Sequence, residues 1–67
     1  MDVNIFIYND NGLWGGFAVD LMEGIQYFSD EKQKVKNYLI NEINNRLLFL
    51  EINLKPKINE HVLPDLV

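Results

Sequence analysis

The chain has no cysteine and no threonine, one serine (Ser29) and one histidine (His61). Without cysteine there is no disulfide, no thiolate metal ligand and no thiol nucleophile. Ser29 with His61 is the only nucleophile–base pair that can be assembled, and no nucleophile elbow or oxyanion motif surrounds Ser29. No base precedes Lys32. No apolar run approaches the roughly 20 residues of a membrane-spanning helix, and Met1-Asp2 opens without the basic and apolar regions of a signal peptide. These absences lead us to expect a cytoplasmic protein that is not an enzyme, with no cofactor, no metal and no membrane contact.

What is present is a 67-residue chain, 48% hydrophobic, with net charge −4. That is a single small domain, too apolar for intrinsic disorder. Asn, Ile and Lys are abundant, the mark of an AT-rich coding source. The charge is split. Asp2, Asp10, Asp20, Glu23, Asp30 and Glu31 all precede the first base, whereas Lys32, Lys34, Lys36, Arg46, Lys55 and Lys57 face four acids in the remainder. The acidic half repels nucleic acid and suits a basic partner.

Val3, Ile5 and Ile7 alternate with Asn4, Phe6 and Tyr8, a strand pattern. Asn11-Gly12 then predicts a hairpin turn, because both residues tolerate positive φ. Phe17, Val19 and Leu21 share one face of a second strand, and Gly15-Gly16 within it marks a bulge or the close approach of another backbone. Residues 17 to 28 also carry a helical stripe, Phe17, Leu21, Ile25 and Phe28. Gly24 interrupts it, so Glu23-Gly24 reads as a second turn and 25 to 28 as a third short strand. Ser29 is placed to cap a helix, with Asp30 and Glu31 at its positive end. Val35, Tyr38, Leu39 and Ile43 form its apolar stripe, and Asn44-Asn45 its C-cap. Leu48, Leu50, Ile52 and Leu54 then alternate as a returning strand that ends at Pro56, leaving 57 to 67 as a possible tail. The expected fold is α+β: a small antiparallel sheet, from the N-terminal hairpin plus the returning strand, with one helix laying Val35, Leu39 and Ile43 over Ile5, Ile7, Val19 and Leu21.

The loop chemistries fail on inspection. With Gly12 at the sixth position of a calcium loop, the first falls on Ile7 and the twelfth on Ala18, neither a ligand. Gly15-Gly16 is followed by Phe17, not the Lys-Ser/Thr of a phosphate loop. His61 stands alone, too few donors for a metal site. Lys32, Lys34 and Lys36 fall at every second position and fan around a helix instead of lining up. Tyr8, Tyr27 and Phe28 form a base-stacking platform that lacks the accompanying basic groove. Trp14 reads as core or as a partner anchor.

What remains is protein binding. Small, acidic, cysteine-free and AT-biased is a profile shared by many phage or mobile-element inhibitors of host enzymes, anti-CRISPR proteins among them. The expected site joins Asp10, Asp20 and Glu23, standing in for phosphates in a basic channel, with Tyr8 or Trp14 as anchor. The alternatives are a homo-oligomeric module, a dimer through a sheet edge or the apolar tail, and a small regulator binding nucleic acid through Lys32, Lys34, Lys36 and Arg46.

Overall fold

In a computed structural model of the chain, residues 1–64 are described, so Leu66 and Val67 of the expected tail lie outside the described residues. Strand β1 (Asp2–Asp10) leads to β2 (Leu13–Ala18), a 3-10 turn (Asp20–Met22), β3 (Gln26–Ser29), helix α1 (Lys32–Phe49) and β4 (Lys57–Val62). The strands form one sheet in the order β3-β2-β1-β4. The helix covers one face, giving the expected α+β class.

The hairpin is closed by the Asp10–Leu13 pair. Asn11 and Gly12 take φ of 54° and 88°, the two positive values that match the twist of the flanking strands. The Asn9 side-chain oxygen accepts the Gly12 N–H at 3.0 Å. Strand β2 stops at Ala18, earlier than expected, because Asp20 to Met22 wind into the 3-10 turn. Gly24, at φ 93°, reverses the chain into β3. The third strand is where the Glu23-Gly24 turn put it. In the core, however, Ala18, Met22 and Ile25 occupy the places expected of Val19 and Leu21: Val19 is only half-buried and Leu21 is exposed.

Val35, Leu39, Ile43 and Leu47 fall four residues apart and are all buried, packing on Val3, Ile5 and Ile7 of β1. Here the sequence reading needs three corrections. Ser29 is not the N-cap: Glu31 is, and the Ser29 hydroxyl accepts the Glu31 N–H at 3.2 Å just ahead of it. The helix does not end at Asn44-Asn45 but runs on to Phe49. It stops in a Schellman motif, with Ile52 N–H donating to Leu47 O at 2.9 Å, Glu51 N–H to Leu48 O at 3.1 Å, and Glu51 at φ 56°. The returning strand is therefore not Leu48 to Leu54.

It is Lys57–Val62, in the stretch expected to be a tail, and it pairs parallel to β1 instead of antiparallel. Parallel pairing requires a crossover, and α1 supplies it by carrying the chain from the β3 edge to the β1 edge. Lys57 N–H donates to Met1 O at 2.7 Å and Leu63 N–H to Ile7 O at 2.8 Å, fastening β4 at both ends.

Candidate functional site

One helix covers one face of a sheet, and the other face is left open. Even-numbered residues of β1 point that way, away from buried Val3, Ile5 and Ile7. Phe6 pairs with Phe17 on β2 and with His61 on β4. Its ring centroid is 5.4 Å from that of Phe17 and 4.8 Å from that of His61, with 18° between planes in both cases. Tyr8 lies 6.4 Å from Phe17 and 6.4 Å, edge-on, from Phe28 on β3. All four strands thus contribute a ring to one continuous aromatic surface. Phe28 is 52% exposed, and Phe6, Tyr8 and Phe17 are half-buried by their neighbours.

The two glycines of β2 separate the layers. A Cβ on Gly15 would meet the Tyr8 ring on the open side, and one on Gly16 would meet Val35 Cγ1 at 2.6 Å on the helix side. The pair marks no bulge: β1 and β2 pair in unbroken register through it, and the side chains of Tyr8 on one face and of Val35 and Leu39 on the other press on the strand, with the backbone oxygen of Phe6 also 3.3 Å from a Cβ on Gly16.

Ring orientation limits what this surface can hold. Two nearly parallel rings 4.8 or 5.4 Å apart cannot lie side by side in one plane without collision, so Phe6 turns its faces to His61 and Phe17 in offset stacks. What Phe6 presents to solvent is its edge. A nucleobase platform needs ring faces free for stacking.

Polar groups rim the rings. His61 Nε2 and Asn4 Oδ1 are 3.0 Å apart, and Asn59 donates to the Asp2 carboxylate at 3.4 Å. Asp2 and Asp10 mark the two ends of β1 on this face. Asp20 and Glu23 line a shallow cavity of about 390 Å³ together with Phe17 and Gln26. Lys57, opposite Asp2, is the base on the same face. The bases of the helix are engaged elsewhere. Lys32 Nζ sits 5.6 Å from the Trp14 ring centroid, Lys34 pairs with Glu31 at 3.2 Å, and Lys36 with Glu60 at 2.8 Å. The hydrogen bond and charge of Glu31 hold the Lys34 pKa above its ordinary value. Arg46 Nη1 donates to the carbonyls of Leu21 and Glu23, tying the 3-10 turn to the helix.

Of the five expected partner-binding residues, Tyr8 and Asp10 lie on the open face. Asp20 and Glu23 lie at the far end of β2 from Asp10, beside Phe17. Trp14 is on the opposite side of the sheet, half-buried against the core, so it and Tyr8 cannot anchor one partner surface. Tyr27 also faces the helix, stacked on Tyr38 at 4.1 Å. Ser29 and His61 stand on opposite edge strands and opposite faces. Phe6, Phe17 and His61 were not among the expected site residues. The signal for Phe6 was present, since it shares the alternation of Tyr8; Phe17 was hidden because the alternation grouped it with Val19 and Leu21 on the face expected to meet the helix, and His61 because 57 to 67 read as a tail. Among the described residues no helix is long and apolar enough to cross a membrane. Compared with protein-family models, curated proteins and solved structures, the chain matches none significantly.

Proposed function

We propose that the chain is a non-catalytic protein-binding module that docks through the open aromatic face of its sheet onto a basic surface of a partner protein. The observation that carries this reading is a surface of rings from four strands, edged by Asp2, Asp10, Asp20 and Glu23 and by a single lysine. Aromatic residues dominate interface hot spots, and complementary charge sets the encounter rate and the orientation. A partner with exposed apolar groups inside a ring of Lys and Arg fits that arrangement. Such a surface is typical of proteins that hold a phosphate backbone, and occupying it would inhibit them, as small acidic inhibitors of phage or mobile-element origin do. Nucleic acid itself is the weaker reading, because the stacked rings turn edges outward and Lys32, Lys34, Lys36 and Arg46 already have partners.

The test is capture of the partner from a host lysate, followed by binding kinetics with purified components. Phe28→Ala should release the captured protein. Replacing Asp10, Asp20 and Glu23 by Asn, Asn and Gln should slow association and flatten its salt dependence, while Lys32, Lys34 and Lys36 can be replaced with little effect. Binding of a single-stranded oligonucleotide at physiological salt, abolished by the lysine replacements, would overturn the reading.

A further inference from the structure

The tip of the β1–β2 hairpin combines a chemically labile dipeptide with a backbone that disables it. Of the chain's asparagines only Asn11 precedes a glycine. In that pairing the Gly12 nitrogen can attack Cγ, the side-chain carbonyl carbon of Asn11. Glycine has no Cβ to obstruct the approach. Both residues are exposed to water, and no atom lies within 4 Å of where a Cβ on Gly12 would stand. The folded turn nevertheless holds the two groups apart. Asn11 is left-handed, at φ 54°, a conformation that brings a residue's own carbonyl oxygen toward its Cβ. The Gly12 nitrogen, on the other side of that carbonyl carbon, is thereby turned away from the Asn11 side chain. Its N–H also donates to Asn9 Oδ1 at 3.0 Å, which retains the proton that the attack must displace.

We propose that Asn11 is a site of spontaneous deamidation, closed in the folded hairpin and reached only when the Asp10–Leu13 end opens. In the opened turn a bond forms between the Gly12 nitrogen and Asn11 Cγ. The Cγ–Nδ2 bond breaks, the Gly12 amide proton passes to the departing nitrogen, and ammonia leaves behind a cyclic imide. Water then hydrolyses the imide in one of two ways. Cleavage of the new bond to Cγ leaves aspartate in the original main chain. Cleavage of the original peptide bond leaves isoaspartate, with the main chain running through Cβ and Cγ. The aspartate form retakes the turn, since Asp tolerates the left-handed region as Asn does, and it sets a second carboxylate beside Asp10. The isoaspartate form carries an extra backbone carbon, which a two-residue turn closed by Asp10 and Leu13 does not accommodate. This inference stands independently of the docking function above.

The test is incubation of the full chain at mildly alkaline pH, in buffer and in guanidinium chloride, with mass spectrometry following the exchange of the amide for a carboxyl. Deamidation should be more than about tenfold faster in denaturant, because in buffer it waits on local opening. Asn9→Ala removes the acceptor that holds the Gly12 N–H. It should raise the rate in buffer about two- to tenfold, the weight of one hydrogen bond, and leave the rate in denaturant unchanged. Asn11→Gly, which suits the same turn, should remove the fast reaction altogether. A rate in buffer equal to that in denaturant, a rate in buffer that Asn9→Ala leaves unaltered, or a fast reaction that persists in Asn11→Gly would each overturn the assignment.

Discussion

The ring of Tyr8 lies directly over Gly15 on the neighbouring strand, so close that a Cβ there would come 2.5 Å from Tyr8 Cζ. One residue on, a Cβ at Gly16 would be 2.6 Å from Val35 Cγ1 and 2.9 Å from Leu39 Cδ1. The obstacles differ in kind. The Tyr8 ring is the far end of a rotatable side chain beside solvent, whereas Val35 is stiff and fully buried. Gly15→Ala should therefore cost about 1 kcal/mol, and Gly16→Ala about 2–3 kcal/mol from overpacking. Urea denaturation of both variants decides it; equal losses would mean that the helix face is as yielding as the open face.

Glu51 occupies the left-handed position that ends α1, at φ 56°. Glycine is the usual residue there, because a side chain in that conformation costs roughly 1 kcal/mol. Glu51→Gly should raise the urea midpoint without changing the slope, and Glu51→Val should lower it.

Arg46 spans from the helix to two carbonyls of the β2–β3 connection. Arg46→Met keeps much of the aliphatic stem and removes the donors, with an expected loss of about 1–2 kcal/mol, near the range for a charge-assisted hydrogen bond. Amide exchange should rise first at Glu23 and Ile25, whose N–H groups bond within that connection. Loss of oligonucleotide affinity without loss of stability would instead return Arg46 to the nucleic-acid reading.

Leu47 and Leu48 are adjacent in sequence and opposite in burial, at 4% and 76% exposed. Leu47→Ala should cost about 2–4 kcal/mol through the cavity it leaves. Leu48→Ala, measured under dilute conditions, should change stability by less than about 0.5 kcal/mol. Strand pairing through Leu48 would reverse that order.

Where local chemistry decides the structure, the sequence was legible. Asn11-Gly12, the alternation of Val3, Ile5 and Ile7, and the stripe Val35-Leu39-Ile43 each forced one answer. The failures sit where a long-range contact decides. Alternation at Leu48, Leu50, Ile52 and Leu54 imitates a strand, but Leu47 extends the core stripe by one more turn and the helix follows it. No glycine marks the helix end, because Glu51 takes the glycine position. Strand β4 has little apolar content of its own: it joins the sheet through backbone bonds to β1, which leave no periodic trace in Lys57–Val62. The aromatic face was half visible for the same reason. Phe6 and Tyr8 share a strand, but the rings of Phe17, Phe28 and His61 join them only when the sheet assembles.

Of the four strands β1 is synthesised first, yet β4, the neighbour on its outer side, follows the other three, more than fifty residues after its partner. At roughly 5–20 residues per second of synthesis, a nascent chain holds the hairpin for several seconds with one long edge of β1 unpaired. That edge belongs to the strand carrying Val3, Ile5 and Ile7, and an unpaired apolar edge is a template for joining another chain. The interval closes only when Lys57–Val62 emerges and seals it. A stalled or truncated product lacking β4 would keep that edge open and be the aggregation-prone form of this protein.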